Sequence, residues 1–268
     1  MAIKLFVTDM DGTLLNNSRK ISEGNKARIR QAVADGMIFT IATGRMYCSS
    51  LPYAKELGVD VPIITYNGAL IKSVSGKIFY TSYLSADMIK EILDFCTENG
   101  MYVQSYSNDE LIYREMSPQA AEYEVAAGVK GRSVGEAIYD MVENVPKLLV
   151  VTDSPEDMPE TLDKLQKHFG DRLMITQSAP TYIEMVNPGV TKADAVLKLA
   201  ELMGVPEDKV LTIGDAGNDV PMLKAVKYGV AMGNATPAAA AAASYHVGDN
   251  EHDGLAEAID RFFYDLDR

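Results

Sequence analysis

Two aspartates one residue apart, Asp9 and Asp11, close the apolar run IKLFVTDMDGTLL. Alternation along a strand sends side chains two apart to the same face, and like charges held that close do not ionise equally. One carboxylate then stays a bare nucleophile while the other keeps a proton. A carboxylate attacker beside a carboxylic acid donor, with a cation to damp their repulsion, is the equipment of phosphoryl transfer through an aspartyl phosphate. The pair points to a phosphohydrolase.

Three more segments carry groups suited to a phosphate. In ATGR, Thr43 and Gly44 follow an apolar run and offer a hydroxyl and backbone amides. Lys192 stands at a helix start after GVT, where its ammonium and the helix N-terminus both favour an anion. In GDAGND, residues 214 to 219, Asp215 ends a strand and Asn218 and Asp219 open a helix. Taken singly, DMDGT is a surface turn and these three are a structural threonine, a solvated lysine and an Asx turn. Their occurrence together, each at a strand end or helix start, argues against those readings.

Positioning these groups requires alternating strands and helices. IKLFVTD reads as a buried strand, Ser22 caps a helix ending near Gly36, MIFTIAT is a second strand, a helix runs from about Met46 to Leu57, and PIITYNG is a third strand. This rhythm predicts a parallel sheet with right-handed crossovers, whose ligands sit beyond the carboxyl ends of the strands. Asp9, Thr43 and Asn67 all fall there.

From about Ala69 the rhythm changes. A hairpin is expected to turn at Ser75 and Gly76. A helix from Ser85 to Asn99 follows, then strands MYVQSY and ELIYRE, helical stretches near 117 to 142, the strand KLLVVTD, a helix opened by Ser154 and Pro155, and strands LMITQS and TYIEMVN. Residues 83–186 are read as a separate α+β unit inserted in the chain. The earlier rhythm then returns, with a helix from Thr191 to about Met203, strand KVLTIGD, a helix from Asp219 to Val226, strand YGVAM, a short helix through the alanines from Ala238 to Ala243, and a closing helix from about Asp253. The fold class is α/β, with residues 1–82 and 187–268 as a discontinuous core.

The 268 residues are 47% hydrophobic, enough for a sizeable core. A net charge of −13 argues against nucleic acid or an anionic membrane surface as a partner, so phosphate recognition must rest on a few local cations. Cys48 and Cys96 lie far apart without metal-site spacing, which fits a reducing cytoplasm. No secretory signal and no apolar stretch of membrane-spanning length are visible. His168, His246 and His252 are read as surface groups, and Tyr113 and Tyr182 as cap residues able to stack on a substrate.

With DMDGT, ATGR, Lys192 and GDAGND in this order, and with TYNGAL at 65–70 and GVAMGNA at 229–235, the chain resembles the haloacid dehalogenase superfamily, in its Cof-like type IIB sugar phosphate phosphatase branch. The resemblance spans essentially the full length. It implies a Rossmann-like core with an α+β cap inserted between the second and third motifs. It implies Asp9 as nucleophile and Asp11 as the acid that protonates the leaving group and later activates water. Mg2+ would be held by Asp9, Asp215 and the backbone carbonyl of Asp11, with Asp219 behind them. Phosphate would be gripped by the backbone of Met10, by Thr43 and Gly44, and by Lys192 and Asn218, while Arg45 and Asn67 are further candidates. Met10 stands where leucine is commoner, which leaves the chemistry untouched because its contribution is mainly backbone, and Ala193 where glycine is frequent, a change that bears on how closely that helix start approaches phosphate. The implied partner is a small phosphorylated metabolite, the implied assembly a monomer or weak homo-oligomer. A sugar phosphomutase shares this core and cap type, and a phosphoacceptor module would keep the acidic pocket, although Asp11 and the inserted unit speak against the latter.

Overall fold

A computed structural model describes residues 3–265. In chain order its elements are β1 (Leu5–Thr8), α1 (Glu23–Ala34), β2 (Ile38–Ile41), α2 (Tyr47–Leu57), β3 (Ile63–Thr65), β4 (Leu70–Lys72), β5 (Ile78–Thr81), α3 (Ala86–Glu98), β6 (Tyr102–Ser107), β7 (Glu110–Tyr113), α4 (Pro118–Ala127), β8 (Gly131–Ser133) and β9 (Leu148–Val151). There follow α5 (Met158–Phe169), β10 (Met174–Ala179), β11 (Tyr182–Val186), α6 (Lys192–Leu202), β12 (Val210–Gly214), α7 (Val220–Ala225), β13 (Tyr228–Ala231), α8 (Pro237–Ala242), β14 (Tyr245–His246) and α9 (Gly254–Phe262). The chain divides into two compact units, one made of residues up to Gly44, Ser50–Tyr80 and Thr191 onward, the other of Arg45–Ser49 and Thr81–Val190.

The first unit is built on a parallel five-stranded sheet in the order β14-β13-β12-β1-β2. Strand β1 pairs on one side with β2, from the start of the chain, and on the other with β12, from its last third. Both outer thirds are therefore needed to complete one sheet. The order reverses beside β1, and such a switch point opens a crevice beyond the strand ends where ligands bind in open α/β sheets. Leu5 and Val7 bury one face of β1 against Val196, Leu199 and Met222, while Phe6 stacks on Phe39 at 5.6 Å on the other face. Side-chain oxygens end the helices as their sequence predicts: Ser22 accepts from the Asn25 amide and Thr191 from the Asp194 amide.

One strand departs from expectation. β3 is not a full member of the parallel sheet but belongs to an antiparallel sheet with β4 and β5. It meets the parallel sheet through the bridge between Ala42 and Ile64. The chain reverses immediately after Thr65 through a 3-10 turn with Tyr66 and Asn67 at positive φ, so β3 finds its ladder in the segment that follows it.

The second unit carries a six-stranded sheet in the order β10-β11-β9-β6-β7-β8, antiparallel except where β7 and β8 run parallel. Ile89, Ile92 and Leu93 of α3 and Leu165 and Phe169 of α5 form a core with Ile112, Leu148, Val150, Ile183 and Met185 from the strands. Strands β8 and β14, of three and two residues, are not legible in the sequence, since runs that short show no alternation. Tyr113, a candidate for stacking on substrate, is instead buried and donates its hydroxyl to Glu124 at 2.9 Å. Tyr182 packs on Tyr123 at 5.5 Å. His168 lies in α5, half exposed, against Glu91 and Phe95. No helix among the described residues is long and apolar enough to cross a membrane.

Candidate active site

The expected cluster assembles at the carboxyl edge of the parallel sheet. Asp9 follows β1 directly, and its backbone amide donates to the Ile213 carbonyl of β12 at 2.9 Å. That bond sets Asp9 beside the end of β12, where Asp215 emerges. Carboxylate oxygens of Asp9, Asp215 and Asp219 all lie within 4.8 Å of one another. Lys192, the first residue of α6, buries its ammonium among them, donating to Asp9 Oδ1 at 2.6 Å and to Asp219 Oδ1 at 2.7 Å. Asp219 uses its other oxygen to accept the backbone amides of Asp215 at 3.0 Å and Ala216 at 2.9 Å, which fixes the turn carrying Asp215.

Gly12 lets the two acidic turns approach. It sits at φ +78°, and a Cβ there would come within 2.4 Å of Asp215 Oδ2. The adjacent Thr13 donates its hydroxyl to Asp215 Oδ1 at 2.8 Å, a role that its place in DMDGT did not reveal.

One ammonium faces three carboxylates, and the titration of the acids reflects it. Burial and then the charge of Asp219 hold Asp9 well above the usual carboxylate range, against the pull of Lys192. Burial likewise pushes Asp215 up to about 6, although the Thr13 hydroxyl opposes it. Burial works against the Lys192 charge too, but Asp219 and Asp9 outweigh it and hold the ammonium above the usual lysine range. Such an excess of negative charge, presented by hard oxygen ligands, suits a divalent cation of the Mg2+ class.

The remaining candidates divide. Thr43 is buried at the end of β2, its amide donating to Ile64 at 2.9 Å while its carbonyl accepts from Asn67 at 3.0 Å. Asn218 donates to Asn67 Oδ1 at 3.1 Å, so the β3 and β12 loops meet, and Gly44 packs beside Asn67. Met10 is buried with its carbonyl accepting from Leu15 at 2.8 Å, and Asp11 stands exposed at the tip of the same turn. Arg45 groups with the second unit. His246 and His252 lie outside it: His246 approaches the Ala240 carbonyl and His252 the Asp249 carboxylate.

The sequence profile of the haloacid dehalogenase-like hydrolases matches residues 6–259, almost the whole chain, including every segment of this cluster. The chain is a haloacid dehalogenase-like hydrolase. Among relatives of this hydrolase, a Bacillus subtilis protein, 5-amino-6-(5-phospho-D-ribitylamino)uracil phosphatase YcsE, is 30% identical over 257 residues, covering 96% of this chain and 94% of its own. The crystal structure of a haloacid dehalogenase-like hydrolase from Bacteroides thetaiotaomicron matches with a TM-score of 0.90 at 28% identity, covering 97% of this chain and all of its own. BT4131, described as a subclass IIB sugar phosphatase, shares the fold with a TM-score of 0.80 at 24% identity, over 97% of this chain and 98% of its own. The hydrolase is a phosphatase, as the relatives matched over nearly its whole length are named.

Proposed function

We propose that the protein is a Mg2+-dependent phosphatase hydrolysing phosphate monoesters of small metabolites, foremost sugar phosphates, through an aspartyl phosphate formed on Asp9. The observation that carries this reading is the placement of a buried carboxylate, Asp9, against one lysine and two further acids at a strand end. Asp9 attacks phosphorus, and the bond from phosphorus to the ester oxygen breaks as Asp11 delivers its proton to that oxygen. Asp11, now ionised, takes a proton from water as the water attacks the aspartyl phosphate, which returns Asp9 and releases inorganic phosphate. Asp9 and Asp215, with the Asp11 carbonyl, would hold Mg2+, which when bound neutralises charge on the phosphoryl oxygens. Lys192 orients Asp9 and, with a bound cation, favours its ionised form against burial and Asp219, and Thr43, Gly44 and Asn218, with the Met10 backbone, supply donors for the phosphoryl group.

Residues 83–186, read as the cap, are proposed to select the organic part of the substrate, and Arg45 to meet a second anionic group on it. The relative named for a phosphorylated ribitylaminouracil widens the candidates from sugars to phosphorylated polyol chains. The low count of thiols and the acidic charge fit a cytoplasmic enzyme of small metabolites. Turnover of a panel of sugar, polyol and nucleotide monoesters, with Mg2+ and with EDTA, is the test. Release of phosphate from several sugar or polyol phosphates, abolished by EDTA, is expected. Failure to hydrolyse any ester by folded, Mg2+-supplied protein would overturn the reading.

A further inference from the structure

The turn that carries Asp11 is tied down by residues outside the four motifs. Within the turn, Leu14 donates to the Asp9 carbonyl at 3.3 Å and Leu15 to the Met10 carbonyl at 2.8 Å. These bonds close the loop without using the Gly12 and Leu15 carbonyls. Both are met by carboxamides from distant segments. Asn234, in the loop after β13, donates through Nδ2 to the Gly12 carbonyl at 2.8 Å. Asn250, buried in the loop before α9, donates through Nδ2 to the Leu15 carbonyl at 2.9 Å. The two are joined, since the Asn250 amide donates to Asn234 Oδ1 at 3.1 Å and so orients the Asn234 carboxamide with its NH2 toward Gly12.

The loop that holds Asn234 also grips the other acidic turn. Met232 donates its amide to the Gly214 carbonyl at 3.1 Å, and Thr236 donates to the Asp215 carbonyl at 2.8 Å. Residues 232 to 236 therefore brace the Asp215 turn through their backbone and the Asp11 turn through one side chain. Gly12, at φ +78°, directly follows Asp11, so the Asn234 contact bears on the backbone next to that acid, and a displacement of about 1 Å can cost a catalytic group much of its effect.

We propose that Asn234, oriented by Asn250, is a positioning residue that holds Asp11 where it can protonate the leaving group. The inference rests on the reading of Asp11 as general acid. Its test compares wild type, Asp11→Asn, Asn234→Ala and Asn234→Asp on a series of aryl phosphates running from p-nitrophenyl to p-methoxyphenyl phosphate. A poor leaving group needs the proton and a good one does not. Because Asp11 also serves the hydrolysis step common to all esters, the tilt is read in kcat/KM, which reports only the steps up to departure of the leaving group: Asp11→Asn should lose about 100-fold there on the poorest leaving group and far less on p-nitrophenyl phosphate. Both Asn234 variants should reproduce that tilt at about tenfold, with KM and the thermal midpoint close to wild type, because Asn234 is exposed.

A tilt in Asp11→Asn without a tilt in either Asn234 variant overturns this inference alone. So does an equal loss across the series, which a merely structural side chain would give. A flat profile for Asp11→Asn itself removes the acid assignment and this inference with it, while phosphatase turnover in the wild type would still stand.

Discussion

With Asp9 and Asp219 both within hydrogen-bonding distance of the Lys192 ammonium, and Asp215 beside them, removing a single side chain changes the charge of a buried site. Asp9→Asn keeps the shape and an oxygen that can accept from Lys192 but deletes the nucleophile. Turnover should fall by several orders of magnitude, with circular dichroism and the thermal midpoint near wild type. Lys192→Met removes the cation instead and leaves buried carboxylates facing one another, at a cost of about 3–5 kcal/mol. Urea unfolding in EDTA should register that loss, and Mg2+ should recover part of it. Thr13→Val is subtler, because it spares both acids and removes the hydroxyl that orients Asp215. Outer groups of this kind are worth about 10-fold or more in metal affinity. Calorimetric titration with Mg2+ should find the affinity of Thr13→Val weakened by that order, and an unchanged affinity would mean that Asp215 needs no such support.

At the scale of elements, the residues whose placement is legible from sequence are those at a strand end or helix start. Asp9, Thr43, Lys192 and Asp215 could be placed because buried parallel strands read as apolar runs and because Thr191 announces its helix. Thr13, Asn234 and Asn250 could not, since polar side chains that hold another segment's carbonyl leave no periodic trace. The partner of β3 was misjudged for a related reason: three apolar residues fit either sheet, and the turn at Tyr66 and Asn67 decided. Tyr113 looked available for a ligand, yet its hydroxyl belongs to a network on α4. There Glu124 accepts from Tyr113 at 2.9 Å, from Lys130 at 2.9 Å and from the Gly131 amide at 2.8 Å. Lys130, followed by the Gly131 amide, lowers the Glu124 carboxyl from the ordinary 4.5 to about 2. A carboxyl depressed on folding stabilises the protein above pH 4.5, and that contribution is lost as pH falls through about 2. Glu124→Gln should accordingly be less stable than wild type at pH 6. The gap between them, followed by chemical denaturation, should close on acidification toward pH 2.

For the whole molecule, the net charge of −13 makes the location of positive charge matter more than its amount. The core is assembled from both outer thirds of the chain, so β1 gains β12 only after the inserted segment has been made, and the acids converge only when that sheet closes. Folding thus gathers three carboxylates that repel one another, and a proton or a bound cation would relieve the repulsion. Asp215 titrates near 6 in the folded protein against 3.8 ordinarily, mainly through burial. A carboxyl raised on folding binds its proton more tightly in the native state, so its contribution to stability is complete below about pH 4 and is lost as pH rises through about 6. In EDTA the thermal midpoint should therefore receive a falling contribution between those values. Mg2+ acts in the opposite sense, because it must displace the proton, and its stabilisation should grow across the same window. At a concentration of about 100 Kd a ligand adds about 2.7 kcal/mol, which amounts to several degrees for a chain of this size. Differential scanning in Mg2+ and in EDTA at pH 5 and pH 8 should give the larger difference at pH 8. An equal difference at both would mean that the ion binds away from Asp9 and Asp215.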